Sequence, residues 1–327
     1  MIEEGVMILI IAVGIPIVFL IFLVSRFFYG KRETESMWRA TKINKIENVG
    51  KVKSLEILPL IDWYADREGL RGGAGVSYLI RTDTQAVLFD AGHDESVLSQ
   101  NMGRLGLTVK DFDAVVVSHN HFDHTGGLKW ISQETGKAGL GDKRMFFPVF
   151  TNMKGFNTEV SENPTVIAEG IATIGAVANY DIFMGRIVEQ ALAINVEGKG
   201  IVLVVGCGHQ GLQRILERAE FLFDQPLYGI IGGLHYPVTD SRAKPMGIRI
   251  QKYMATCRPP WDPLTMETVK TMIQTLKGKN PKIVALSAHD SCDAVIDEFR
   301  KAFREAYVDV RVGKKIVIQE SNTLKES

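Results

Sequence analysis

The sequence predicts a layered α/β sandwich built around mixed β-sheets. Two observations carry that prediction. Short apolar runs appear early in pairs that read as hairpins, and later runs alternate with amphipathic helical patterns. The composition agrees: 46% of the 327 residues are hydrophobic and 23% are charged, the balance of a chain that can bury a core.

The first element is an apolar segment. Residues 7–28, "MILIIAVGIPIVFLIFLVSRFF", are apolar apart from Ser25 and Arg26. A helix of that length spans about 30 Å, the thickness of a hydrocarbon core, and such helices tolerate a proline like Pro16. Glu3 and Glu4 precede it, and no small-x-small cleavage site follows, so the segment reads as an uncleaved transmembrane anchor rather than a signal peptide. Arg26, Lys31, Arg32, Arg39, Lys42 and Lys45 lie at or beyond its C-terminal end. The positive-inside rule then leaves residues 1–6 outside and the rest of the chain in the cytoplasm, a single-pass protein of the cell membrane. The same basic residues can attract anionic headgroups or serve only as a topology signal. Residues 29–52 are polar and read as a linker to one domain over residues 53–327. The three cysteines, Cys207, Cys257 and Cys292, are too few and odd in number for a disulfide framework, which suits a reducing compartment. Lys plus Arg and Asp plus Glu each number 38, so the basic excess of a general nucleic-acid binder is absent.

The domain begins with a strand, "SLEILPLID" (54–62). "GVSYLIRT" (75–82) and "QAVLFDAG" (85–92) form a hairpin about Asp83 and Thr84. "NMGRLGLTV" gives a helix and turn before the strand "DAVVVSH". "EQALAINVEGKGIVLVVGCGH" holds two strands about a Glu-Gly-Lys-Gly turn. Leu212, Ile215, Leu216 and Ala219 recur at helical spacing, and "DAVIDEFRKAF" is a second amphipathic helix. "LYGIIGGLH", "KIVALSAHD" and "VRVGKKIVIQ" supply the remaining strands. Residues 131–187 and 236–266 read as long loops.

The chemistry concentrates at "SHNHFDHTGG". His119 and His121 are two apart, so in extended chain both imidazoles point to one face and reach one ion. Asp123 and His124 follow at a turn where Gly126 and Gly127 permit tight geometry. Imidazole with carboxylate suits zinc first, with iron or manganese also fitting. Four such groups within six residues are costly to bury unless paired or metallated.

This stretch resembles the H-x-H-x-D-H signature of the metallo-β-lactamase superfamily. "AVLFDAGHD", with Asp90, is similar to the superfamily's first motif, a strand-ending aspartate that supports the metal loop. "VVGCGHQG", "IIGGLHYP", "ALSAHDSCD" and "EQAL" (189–192) resemble motifs of the dihydropterin-ribofuranosylaminobenzene phosphate synthase-like subgroup, and the resemblance covers about residues 54–312. It implies a four-layer αββα sandwich with a site for two divalent transition metals at one edge of the sheets. His119, His121 and His209 would form one ligand set, and Asp123, His124 and His289 the other. Asp123 and His235 would be the catalytic candidates, His235 binding substrate, transferring protons or supporting a ligand. Departures from the pattern leave other roles open. Cys207 stands where many relatives carry a bridging aspartate, and is either a ligand or a small packed strand-end residue. Asp290 either orients a histidine or caps a helix with Ser291. Glu189 either supports the site or is an exposed glutamate, and His93 is a loop histidine near the site or a surface residue.

The implied activity is metal-dependent hydrolysis of an ester, lactone, thioester or phosphodiester in a small-molecule substrate. The alternatives are a pterin-type condensing synthase and a non-catalytic metal- or ligand-binding membrane protein. Arg242, Lys244, Arg249, Lys252 and Arg258 in the second loop either receive an anionic substrate group or form a solvated face. Trp261 and Tyr253 either make an aromatic lid or face the bilayer.

Overall fold

Strand β1 (Ser54–Ile61) shows how the sandwich is built. Leu55 and Ile57 point into the core between two sheets, while Leu58 and Leu60 point to the opposite, helix-covered face. Both faces are apolar, as a sheet covered on both sides requires. The computed structural model describes residues 13–319 apart from 243 and 254.

The first sheet continues through β2 (Ser77–Thr82), β3 (Ala86–Phe89), β4 (Ala114–Val116), β5 (Lys143–Phe147) and β6 (Phe156–Val160). The second uses β7 (Val166–Ala168), β8 (Ile171–Thr173), β11 (Leu192–Val196), β12 (Gly200–Val205), β13 (Leu227–Gly232) and β14 (Ile283–Leu286). A separate hairpin is made by β9 (Val177–Asp181) and β10 (Gly185–Glu189), and β15 (Ile316–Gln319) closes the first sheet. The strand orders are β15-β1-β2-β3-β4-β5-β6 and β14-β13-β12-β11-β8-β7. In both sheets the pairing is antiparallel on one side and parallel on the other: β1, β2 and β3 pair antiparallel, whereas β3 to β6 run parallel, as do β12, β13 and β14. The predicted hairpins at Asp83 and Thr84 and at the Glu-Gly-Lys-Gly turn are both present, with Arg81 opposite Ala86 and Val196 opposite Gly200.

The helices are α1 (Ile15–Ala40), α2 (Glu95–Arg104), the single turn α3 (Phe122–Thr125), α4 (Leu128–Lys137), α5 (Leu212–Leu222), α6 (Met266–Gly278) and α7 (Asp293–Phe303). Val97, Leu98 and Met102 of α2 and Leu128 and Ile131 of α4 pack on the outer face of the first sheet. Ile215 and Leu216 of α5, Ile273 of α6 and Phe299 of α7 pack on the outer face of the second. Two helical layers thus enclose two sheets, the predicted mixed α/β sandwich.

Two expectations need revision, and a third begins outside the described residues. Residues 29–40, read as linker, continue α1, which buries Phe27, Gly30 and Thr34 against the protein. That stripe is small and polar after Phe27, so hydrophobic periodicity did not reveal it. Residues 131–187, read as one long loop, contain the end of α4, the five strands β5 to β9 and the start of β10. These strands have three to five residues, and β6 is a largely polar edge strand, so clean alternation is missing. The expected membrane span begins in residues 1–12, outside those described. No helix among the described residues is long and apolar enough to cross a membrane. Residues 15–22 of α1 are exposed along its length.

Candidate metal centre

Strand β4 delivers the histidine motif to the sheet edge. Past its end, the Ser118 N–H donates to Asp90 Oδ1 at 2.6 Å, and the Ser118 hydroxyl donates to Asp90 Oδ2 at 2.7 Å. Asp90 is buried beyond β3 and takes the left-handed conformation (φ 58), which aspartate accepts more readily than bulkier residues. The α3 turn folds tightly beneath: a side chain at Gly126 or Gly127 would strike the carbonyl oxygens of His93 or Ala91.

Asp90 fixes two imidazoles. Its Oδ2 lies 2.7 Å from His124 Nδ1, and the Ser118 hydroxyl lies 2.9 Å from His119 Nδ1. Both rings therefore turn Nε2 toward the centre. A matching arrangement sits across the site. Asp62, at the end of β1, accepts hydrogen bonds from the Tyr78 hydroxyl at 2.7 Å and the Ser287 hydroxyl at 2.6 Å. Ser287 Oγ lies 2.7 Å from His289 Nδ1. Asp62 was not among the residues singled out from sequence, although it ends an apolar strand as Asp90 does.

Glu189 and Gln190 hold the third side. Fully buried Glu189 accepts the N–H groups of Cys207 and Gly208 on Oε1 at 2.9 and 2.8 Å, and that of His209 on Oε2 at 2.7 Å. Burial pushes its carboxyl up to about 7 despite those three donors. Gln190 donates to the Val117 carbonyl at 2.8 Å and accepts from the Ser161 hydroxyl.

These supports gather two groups of side chains whose ligand atoms lie within 4.8 Å of one another. One comprises Asp123, His124, Cys207 and His289, and the other His119, Cys207 and His209. Cys207 belongs to both: its Sγ lies 3.1 Å from His124 Nε2 and 3.2 Å from His289 Nε2. His121 stands beside the second group, its ring centroid 4.4 Å from that of His119 and 5.0 Å from that of His209. Side chains from β4, β12, β14 and their following turns thus converge from far apart in the chain.

The donor set fits divalent metal. His119 Nε2 and His209 Nε2 are buried with no partner, a costly state that a cation between them would relieve. Burial holds the imidazoles of His119, His209 and His289 well below their usual range and that of His121 down to about 4, with the neighbouring imidazoles adding to each. Those rings are neutral and able to ligate at pH 7. Burial lowers His124 too, but the Asp90 and Asp123 carboxylates outweigh it and raise His124 to about 9 in the metal-free protein. Burial and four nearby carboxylates push the Cys207 thiol up well above its ordinary value. Asp123 is partly exposed and held below the usual carboxylate range by His124, His289 and His121, against the upward push of its own burial. Asp123 and His121 are half-buried, whereas the other ligand candidates are buried.

His235 adopts φ 55 after β13, and its N–H donates to Asp290 Oδ2 at 2.9 Å. Its Nδ1 lies 3.3 Å from His209 Nδ1. With His209 Nε2 free for a ligand, His209 Nδ1 carries the proton and donates to His235. Asp290 therefore holds the His235 main chain, while its Oδ1 accepts from Ser291. His93 is exposed beside the site, with its ring edge-on to exposed Phe122 at 4.9 Å. Gln210 is buried with neither side-chain oxygen nor nitrogen partnered, a second residue the sequence did not flag. The basic loop is largely self-paired: Arg242 with Asp293, Lys244 and Arg249 with Asp240, and Arg258 with Asp262. Trp261 packs edge-on against Phe27 at 5.9 Å and also contacts Phe28, while Tyr253 is exposed.

Comparison with known proteins agrees with this geometry. Residues 70–213 match the family model described as the Metallo-beta-lactamase superfamily. The chain is 27% identical over 235 residues to a 7,8-dihydropterin-6-methyl-4-(beta-D-ribofuranosyl)-aminobenzene-5'-phosphate synthase of Methanocaldococcus jannaschii, covering 58% of this chain and 80% of that protein. A crystal structure of a metal-dependent hydrolase of the beta-lactamase superfamily superposes with a TM-score of 0.60 at 19% identity, covering 81% of this chain and all of that one. The metallo-beta-lactamase fold protein YhfI from Bacillus subtilis superposes with a TM-score of 0.54 at 13% identity, again over 81% of this chain and all of that one. Residues 70–213 thus match the metallo-β-lactamase superfamily model, and the layered sandwich with the histidine motif at its sheet edge resembles the fold of these solved structures.

Proposed function

We propose that the protein is a metal-dependent hydrolase with a two-metal centre, acting on an ester, lactone, thioester or phosphodiester. The observation that carries this reading is the shared position of Cys207 Sγ between two ligand groups. His119, His121 and His209 would hold one ion and Asp123, His124 and His289 the other, with Cys207 beside both groups. Two divalent ions held there, zinc foremost, would supply Lewis-acid polarisation of a substrate oxygen and a more acidic water. The chain's own groups do the rest. Asp90 and Asp62 orient the rings through Ser118 and Ser287, and Glu189 fixes the turn that carries His209. Asp123, the partly exposed carboxylate, is placed to accept a proton at its Oδ atoms. His235, pushed down to about 4 by burial, is neutral at pH 7 and acts as the acceptor that orients His209.

A second reading is favoured by the 27% identity to the pterin-pathway synthase: condensation of a pterin with a ribosylated aminobenzene phosphate on the same centre. Screening the full-length, metal-reconstituted protein against ester, lactone, thioester and phosphodiester substrates, beside a pterin condensation assay, separates the two. Asp123→Ala and His121→Ala should abolish the activity found; unchanged turnover in both would remove the site assignment.

The anchor belongs to this proposal as well. Residues 7–28 would hold the protein in the cell membrane with the domain in the cytoplasm. A reporter fused to the C-terminus should then behave as cytoplasmic, and an extracytoplasmic signal would reverse the topology.

A further inference from the structure

The helix that leads out of the apolar segment reaches the candidate metal centre. Phe27, Gly30 and Thr34 form one stripe of α1 and are buried. Gly30 admits the ring of Tyr180 on β9, where any side chain would collide with it. One residue on, Lys31 donates from Nζ to Asn179 Oδ1 at 2.6 Å. Asn179 in turn donates from Nδ2 to the His209 carbonyl at 2.6 Å. An ammonium only donates and a carbonyl only accepts, so this sandwich satisfies the amide in one orientation. The Tyr180 N–H donates to the same Oδ1 at 2.9 Å and adds to that constraint.

The grip extends beyond His209. Glu35 of α1 pairs with Arg214 of α5, which also donates to the Ala178 carbonyl of β9 at 3.2 Å. The guanidinium groups of Arg214 and Arg218 lie 5.4 and 4.9 Å from the Trp38 ring. The helix therefore clasps the strand that supplies Asn179 and the helix that starts just after His209. With the His209 N–H on Glu189 and its carbonyl on Asn179, both main-chain groups of that residue are fixed, one by the domain and one through α1.

We propose that α1 is a working part of the site, in which Lys31 and Asn179 are positioning residues for His209 and tie its metal affinity to the seating of the N-terminal helix. This inference rests on the two-metal reading. The segment proposed as an anchor would then do more than localise the domain, because displacing α1 removes the Lys31 contact that helps hold Asn179 on the His209 carbonyl.

The test is cobalt(II) titration of the full-length, metal-free protein, by chelator competition and by visible spectrum. Wild type should bind two ions. K31M and N179A should each lose about 10-fold in affinity for one ion, the scale of an outer-shell partner, and keep the other. K31R should stay near wild type, as should K45M, whose exposed pairing with Asp224 lies outside this chain of contacts. Thermal melts of the metal-free variants separate a general folding defect from a local one, and K31Q provides a milder change should K31M fold poorly. Wild-type affinity and spectrum in both K31M and N179A would overturn the inference alone, as would equal weakening of both ions. A wild-type chain that binds fewer than two ions would overturn the two-metal reading, and this inference with it.

Discussion

Two carboxylates hold the histidine rings, one on each side of the centre, and they differ in reach. Asp90 contacts His124 directly and His119 through the Ser118 hydroxyl, so it orients a ring in each ligand group. Asp62 acts through Ser287 on His289 alone. The device is the same, a buried strand-end carboxylate directing Nδ1 so that Nε2 faces inward. The sequence distances are not: Asp90 lies 28 residues from Ser118, whereas Asp62 lies 225 from Ser287. The Asp90 side is built within one stretch of chain and organises both groups. The Asp62 side is assembled across the whole domain and trims one.

Removing each carboxylate should expose that difference. Asp90→Ala is expected to have the largest effect, about 100-fold in affinity for both ions, with roughly 3 kcal/mol lost from the metal-free protein as a buried pair is broken. Chelator competition and urea unfolding measure these. Weakening of only one ion would break the comparison. Asp62→Ala should cost about 10-fold for one ion and about 2 kcal/mol, because the Tyr78 and Ser287 hydroxyls lose their acceptor.

The pH profile of the metal-free protein sharpens the contrast. His124 rises to about 9 from the usual 6.5 of imidazole, so its pairing with Asp90 stabilises fully below pH 6.5 and is lost as pH rises through 9. His289, lowered well below 6.5, works the other way, together with His119, His121, His209 and His235. Their contribution is present above 6.5 and disappears as pH falls. Stability should peak near pH 6.5, and Asp90→Ala should flatten the alkaline limb while Asp62→Ala leaves it. Thermal melts across pH 5 to 9 would show it; an alkaline limb unchanged in Asp90→Ala would contradict the role given to that carboxylate. The smallest effect belongs to Glu189→Gln, about 1 kcal/mol. An amide must turn its nitrogen toward one of three N–H groups, while the decline that wild type owes to Glu189 between pH 4.5 and 7 disappears.

The same contrast explains what the sequence made legible. The Asp90 side was readable because "SHNHFDH" concentrates its ligands after one valine-rich strand, with Asp90 ending the strand before it. His209 and His289 were readable because each follows an apolar run. Asp62 ends "LPLID" in the same manner as Asp90 ends "VLFD", but no histidine stands near it in sequence, so only tertiary contact assigns it. Glu189 is an acid where exposure is the default, and it is buried because three main-chain donors need it. The strands of the sandwich followed from continuous apolar runs wherever both faces are covered. They were missed over residues 131–187, where edge strands are short and polar. The helix after Phe28 was missed because it packs through glycine and threonine rather than through an apolar stripe.

Two ligand groups that meet at Cys207 are proposed to hold two ions. Metal analysis of the full chain after removal and reconstitution with zinc tests this most directly. Two tightly bound ions per chain are predicted. One ion or none would contradict the account.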